Sequence, residues 1–397
     1  MAGQTLGIGV IGAGQIVRRH ALAYRALPNL ARLVAVADLD PKRAQDAKER
    51  YRFAAACADH RELLGRDDID AVSICTPAGS HSALVVEAIE AGKHVLCEKP
   101  MATTLAKADD IVAAADRHPD VIVSFVFQLR SDPTHRRIGW LIREGHLGRA
   151  LVAKVCVRLR KRPEYYKSVP GRGSWKSDGG GVVVNQAIHQ LDALIMLMGR
   201  PVRASAVMNT FVQPMEAEDT LLGWVEFEGG AIASLDCTVC SQKKEFYIDI
   251  LGERAGVRLT GDPDSQKFQW PIFARGSAAK KAIQKAGLKA FPAPPDPKSK
   301  MASLKKMMAK IKRKEWIPLN TWGHGPHVRE FLESIVAGGP APVPPQEGRR
   351  SLELATALYE SAKSGTIVEL PLGSDCRLYR GVDQFESPDR APTPVTV

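Results

Sequence analysis

No apolar run in this 397-residue chain approaches the roughly 20 residues that a membrane-crossing helix needs. The start, Met1 to Thr5, has no charged lead and no apolar core, so no secretory signal is expected. Cysteine is sparse: seven residues, an odd number without framework spacing, which argues against a disulfide scaffold and fits reduced thiols in a cytoplasm. Cys237 and Cys240 form a C-x-x-C, but on a strand they would point to opposite faces, and no second pair completes a zinc site. No metal is expected. What remains, 45% hydrophobic and 25% charged, is ordinary for a soluble globular protein. The length favours two domains.

The net charge of +11 is uneven. Between Arg275 and Lys314 lie thirteen basic residues and one acid, Asp296; the rest of the chain has 42 basic against 43 acidic. Basicity therefore belongs to one segment, about residues 274–315, which reads as an insert. Met301, Leu304, Met308 and Ile311 fall on one helical face there. Docking of that stripe on its own protein is the plain expectation; an anionic ligand or an anionic membrane surface are the alternatives. No nucleic-acid partner is expected.

The informative stretch is Gly7 to Ile16. An apolar, β-branched run, Ile8 to Ile11, is broken by Gly12 and Gly14, and Gln15 to Ala26 resumes with helical periodicity. Strand, glycine turn and helix aim free backbone N–H groups at a pyrophosphate. Two glycines alone are weak evidence, and Val17 stands where the fingerprint has a third small residue. Asp38 strengthens the case: it ends a second buried run, 24 positions beyond Gly14, where an acid accepts hydrogen bonds from a ribose. A carboxylate there favours NAD; Lys42 and Arg43 keep NADP open.

Strands and helices then alternate through residue 127, which predicts a doubly wound parallel sheet in a domain of residues 1–130. Gly12 to Gly14, Asp38, Thr76-Pro77, Glu98-Lys99 and Gln128 all fall at carboxyl ends of predicted strands, where ligands gather in such folds. From about Asp132 the rhythm changes. Strand-like runs at 204–212, 221–227, 231–238 and 246–251 follow too closely for crossover helices. They predict an α+β domain, residues 131–375, with a large, open, mostly antiparallel sheet. A helix near His189 would cover one face, and a second copy of the chain would cover the other. A loose tail follows, 376–397.

Two clusters could carry chemistry. Lys99 could stabilise an alkoxide or, with a lowered pKa, act as a base; a surface lysine paired with Glu98 is the plain alternative. Asn185, His189 and Asp192 lie at i, i+4 and i+7, one face of a helix. A neutral imidazole can take an alcohol proton, and the amide and carboxylate can hold polyol hydroxyls. A polar helix face with His189 on a backbone carbonyl explains the spacing equally well. His20 and His81 fit packing or loop hydrogen bonds better than catalysis. His324 and His327 carry no spacing argument.

The stretches Gly9 to Ile16, Thr76 to His81, Ala91 to Pro100 and Gly179 to Asp192 resemble the glucose-fructose oxidoreductase / inositol dehydrogenase / rhizopine-catabolism (Gfo/Idh/MocA) family. The resemblance covers about residues 5–270 and 322–372. It implies a Rossmann domain, a C-terminal α/β domain whose open sheet mediates oligomerisation, and a nicotinamide cofactor. It assigns Lys99 to substrate and cofactor contact, His189 to acid–base work and Asp192 to substrate hydroxyls. Cofactor contacts are expected from Gly12, Gly14, Gln15, Ile16, Asp38, Thr76, Pro77, His81, Glu98, Lys99 and Gln128, and substrate contacts from Asn185, Asp192 and Arg172. Many inositol-dehydrogenase-like members have Asp where this chain has Asn185. Members acting on UDP-linked amino sugars are similar in having Asn, which tilts the expected substrate toward a sugar or nucleotide sugar. The expected activity is NAD-dependent oxidation of a secondary alcohol of a sugar, sugar derivative or cyclitol, or its reverse. The rivals are a redox-neutral enzyme that retains NAD, for glycoside cleavage or epimerisation, and a non-catalytic NAD-binding sensor.

Overall fold

The computed structural model describes residues 5–260, 272–274, 277, 281 and 323–382. Short, unbroken apolar runs make strands that must be buried on both faces. In the first half these are β1 (Leu6–Ile11), β2 (Ala31–Ala37), β3 (Ala55–Cys57), β4 (Ala71–Ile74), β5 (His94–Cys97) and β6 (Val123–Phe125). Between them run α1 (Val17–Arg25), α2 (Pro41–Tyr51), α3 (His60–Leu64), α4 (His81–Glu90) and α5 (Leu105–Arg117). The six strands pair in parallel in the order β3-β2-β1-β4-β5-β6, the doubly wound sheet expected. Every residue of β1 is buried. Pro41 opens α2 while the Asp40 carboxylate caps the N–H groups of Lys42 and Arg43. The strand order reverses between β1 and β4, so the crevice for a ligand opens beyond their carboxyl ends.

The second half holds α6 (Pro133–Arg143), β7 (Ala150–Arg160), α7 (Pro163–Lys167), α8 (Trp175–Asp178), a π-helical turn (Val183–Ala187) and α9 (Ile188–Met198). Then come β8 (Pro201–Asn209), β9 (Thr220–Phe227), β10 (Ile232–Thr238), β11 (Cys240–Gly252), β12 (Ala255–Thr260) and β13 (Ile272–Ala274). The described chain closes with α10 (His324–Ala337), α11 (Pro345–Ser364) and β14 (Val368–Glu369). These strands form one sheet, β13-β12-β11-β7-β10-β9-β8-β14, antiparallel except where β10 runs parallel to β7. Helices α9 and α11 cover one face. The stretch Trp175–Met198 is long and apolar enough to cross a bilayer, but 78% of that window lies buried in the protein core. Helix α10 returns to the first half and packs on α1, where Val328, Phe331 and Leu332 join the core around β1. The apolar stripe Met301, Leu304, Met308 and Ile311 of the basic insert, and the tail past residue 382, lie outside the described residues. All seven cysteines are free thiols, including Cys237 and Cys240.

Candidate active site

The glycine turn between β1 and α1 is built for a close approach. Gly12 has φ +98°, and a Cβ there would meet the Cys75 carbonyl carbon at 2.8 Å. Gly14 is exposed, with nothing within 4 Å of where its Cβ would stand. Ala13 N–H donates to Asp38 Oδ2 at 2.8 Å, so the acid at the end of β2 pins the turn. Asp38 Oδ1 accepts from the backbone of Asp40 at 2.9 Å and from Arg43 Nε at 3.1 Å. Gln15 is exposed and Ile16 half-buried at the head of α1; Thr76 and exposed Pro77 follow β4, with Ser80 Oγ donating to Thr76 Oγ1 at 2.8 Å. An open cradle between free backbone N–H groups and an anchored carboxylate suits a dinucleotide.

His81 does not join that cradle. Its buried ring lies between two carbonyls, Pro100 O at 2.7 Å from Nδ1 and Thr76 O at 2.9 Å from Nε2, and its one N–H donates to one of them, tying two loops together. Glu98 also turns inward. Its Oε1 accepts from His20 Nε2 at 3.0 Å and from His324 Nε2 at 2.8 Å. Burial pushes this carboxyl up, but the bonds from His20 and His324 prevail and hold it well below the usual range. His20 continues the chain of hydrogen bonds through Nδ1 to Ser73 Oγ, which also meets the Tyr24 hydroxyl. The Oε1 atom of Glu98 is thus committed to this network. The two Nε2 atoms and the carboxylate oxygen lie within 4.8 Å of one another, a ligand set a cation could also use.

Next door, Lys99 reaches across the cleft: Nζ donates to the carbonyl of Asn185 at 2.8 Å. The two clusters singled out in the sequence therefore meet. Residues 183–187 wind as a π turn, so Asn185 leaves the regular register, while His189 and Asp192 both lie in the regular helix α9. Asn185 Nδ2 donates to Asp178 Oδ2 at 3.0 Å and to Gly180 O at 3.1 Å. His189 is 8% exposed, stands edge-on to Phe127, and its Nδ1 has no hydrogen-bond partner. Burial first, then the Lys99 charge, hold it well below the ordinary imidazole pKa, so the ring is neutral near pH 7.

Asp192 lies on the inner side of α9, fully buried. Arg130 grips it through Nε at 2.8 Å and Nη2 at 2.8 Å, and Ser351 Oγ adds a third bond at 2.8 Å. Both of its oxygens are therefore engaged inside the protein. Arg172 is engaged within its own loop. Its Nη1 donates to Tyr165 O and Ser168 Oγ, and its guanidinium stacks 4.5 Å over the Tyr165 ring, so it braces its own loop. Gln128 follows β6, is 2% exposed, and leaves Oε1 without a partner.

Sequence reasoning missed several polar residues. His327 bridges Ser131 Oγ and Phe125 O, both at 2.9 Å, and burial lowers its pKa to about 3. Glu218 takes Gly181 N–H at 2.8 Å, Val183 N–H at 2.9 Å and the Tyr359 hydroxyl at 2.8 Å, capping the start of the π turn. Its burial lifts the carboxyl to about 7.

Two family descriptions match the chain: an oxidoreductase family with an NAD-binding Rossmann fold over residues 6–126, and the C-terminal alpha/beta domain of the same family over 140–370. The chain belongs to the Gfo/Idh/MocA oxidoreductases. An uncharacterized oxidoreductase of Bacillus subtilis is 29% identical over 233 residues, 57% of this chain and 65% of that protein, just under two thirds of its length. An inositol 2-dehydrogenase of Acidothermus cellulolyticus is 30% identical over 259 residues, 64% of this chain and 73% of that one. The WlbA dehydrogenase of Bordetella pertussis, crystallised with NADH and UDP-GlcNAcA, is 27% identical with a TM-score of 0.76; the match covers 93% of this chain and all of the other.

Proposed function

We propose that this protein is an NAD-dependent dehydrogenase acting on a secondary alcohol of a sugar, a nucleotide sugar or a cyclitol, in either direction. The supporting observation is the junction of Lys99 with the carbonyl of Asn185, beside a neutral, buried His189 whose Nδ1 lacks a partner. Gly12, Gly14, Gln15, Ile16, Asp38, Thr76, Pro77 and Gln128 would hold the cofactor. When bound, the nicotinamide supplies the hydride acceptor. His189 takes the hydroxyl proton, which a neutral imidazole can do and an imidazolium cannot. Lys99 offers N–H to the same oxygen as negative charge builds on it. Both amide hydrogens of Asn185 are directed at Asp178 and Gly180, so Oδ1 is left to accept from a neighbouring hydroxyl. Asn185 can position a sugar but cannot share a proton with His189. The WlbA likeness across nearly the whole chain supports a nucleotide sugar as the first substrate to try. Purified protein with NAD, UDP-sugars, free sugars and inositols, followed by NADH absorbance, tests this. No NADH from any of them sinks the proposal.

The open sheet face suggests how the enzyme assembles. Cross-strand register aligns Val207 with Leu222, Ile232 with Val152, and Val152 with Leu251, all exposed and on one face. A second copy seated there would bury this apolar patch. Val207→Asp with Leu222→Asp should lower the mass measured by light scattering; an unchanged mass refutes that assembly. Free thiols throughout suit a cytoplasmic setting.

A further inference from the structure

The network around Glu98 has a direction that can be worked out atom by atom. Glu98 is an ionised carboxylate, an acceptor only. His324 Nε2 lies 2.8 Å from its Oε1, so that nitrogen carries the ring proton and donates it. In the tautomer that donates from Nε2 alone, Nδ1 carries a lone pair and no hydrogen. His20, from the opposite side, fills the same oxygen at 3.0 Å and stacks edge-on to His324 with centroids 5.1 Å apart, which fixes the ring plane. Nothing else in the network can turn the tautomer round. Yet His324 is 5% exposed and its Nδ1 has no hydrogen-bond partner. Buried acceptors are seldom left that way. The ring shares Glu98 with the strand end that carries Lys99, whose Nζ reaches the Asn185 carbonyl four residues before His189. His324 is the first residue of α10, the helix that returns to the Rossmann half.

We infer that His324 is a ligand-binding residue of the cleft: Glu98 and His20 hold its tautomer so that Nδ1 accepts a hydrogen bond from an N–H or O–H donor of the bound ligand. Two donors of that chemistry belong to the proposed reaction, the carboxamide N–H of nicotinamide and a hydroxyl of the sugar. The inference rests on the dehydrogenase reading, and its test separates the two.

Two substitutions divide the ring's two bonds. In His324→Gln the amide can still donate to Glu98 from the place of Nε2, and nothing replaces Nδ1. In His324→Asn the amide oxygen replaces Nδ1 and the bond to Glu98 is lost. NADH affinity is read by fluorescence titration without substrate, and KM by turnover of the best sugar. His324→Gln should melt close to the wild type but lose about tenfold, either in NADH affinity (the carboxamide as donor) or in sugar KM with NADH affinity intact (the hydroxyl). His324→Asn should melt lower yet stay within about twofold of wild type in the affected arm. A silent His324→Gln, with all the damage in His324→Asn, would make His324 a mere tether for Glu98 and overturn the inference. One equivalent of zinc in the purified protein, absent from His324→Gln, would overturn it too, since the trio would then be a metal site. Wild-type protein that fails to bind NADH refutes instead the dehydrogenase reading itself.

Discussion

Two polar clusters meet the helix of His189, and they are wired in opposite ways. On the inner side Asp192 has three hydrogen-bond donors on its two oxygens, and Arg130 extends the network to Glu347. On the cleft side, His189 Nδ1, His324 Nδ1 and Gln128 Oε1 are buried without partners. Both clusters hold residues of the types used in catalysis, so residue type does not separate them. Satisfaction does. A buried network with every atom paired holds a fold, whereas an unpaired buried atom costs free energy that a ligand or an ordered water recovers; Gln190 Oε1 and Gln213 Oε1 are unpartnered as well.

The largest expected effect falls on the unsatisfied side. His189→Ala should lower kcat by about 10²–10⁴-fold, the span of a lost acid–base group, with the melting temperature little changed. Because Lys99 and burial keep the ring neutral, kcat/KM should also stay level as pH falls through 6.5, where an ordinary imidazole would already be losing activity. An acid limb centred near 6.5 would show that the imidazole is not held as described. Asp192→Asn is the mirror experiment. Leaving Arg130 half-paired in the interior should cost about 3–5 kcal/mol of stability in a denaturant titration, while the sugar KM of the folded fraction stays put. A raised KM at unchanged stability would return Asp192 to the substrate.

His327 gives a smaller effect with a definite sign. Its pKa is lowered to about 3, so the unfolded chain takes up a proton near pH 6.5 that the folded chain refuses. The stabilisation from keeping it neutral is whole above 6.5 and drains as pH falls toward 3, at about 1.4 kcal/mol per pH unit. Replacing His327 by Gln should flatten that slope by one proton in melts taken between pH 6 and 4. An unaltered slope would mean that other groups set the acid limit.

Much of this was legible in the residues. The parallel sheet announced itself because strands buried on both faces are written as continuous apolar runs, such as Val34 to Ala37. The placing of Glu98-Lys99 at a strand end was legible from the apolar run His94 to Cys97; the Lys99 contact with the Asn185 carbonyl was not, lying 86 residues apart. Strands β3 and β12 were not foreseen: three residues carry no period, and Ala255–Thr260 opens on Ala and Gly. The bonds of Asp192 and Arg172 were not legible, because spacing along a chain does not show which distant partners, such as Arg130 and Ser351, pack on a side chain. Nor was the Glu98 network, since His324 lies 226 residues away.

Asp38 stands between the two kinds of cluster and gives the smallest, most specific effect. Oδ2 is engaged by Ala13 N–H, while Oδ1 is held by Asp40 N–H and by Arg43, whose side chain is 57% exposed and can swing away. One oxygen is therefore structural and the other available to a ribose hydroxyl, and the charge itself repels a 2′-phosphate. Asp38→Asn keeps an acceptor for Ala13 but removes that charge, and with Arg43 released the balance between cofactors should move. The ratio of kcat/KM for NAD to that for NADP should fall by about tenfold, the scale of one charge-assisted hydrogen bond, without a change in melting temperature. If the ratio holds and the melt drops instead, Asp38 belongs wholly with the satisfied cluster, and NAD preference must come from elsewhere in the turn.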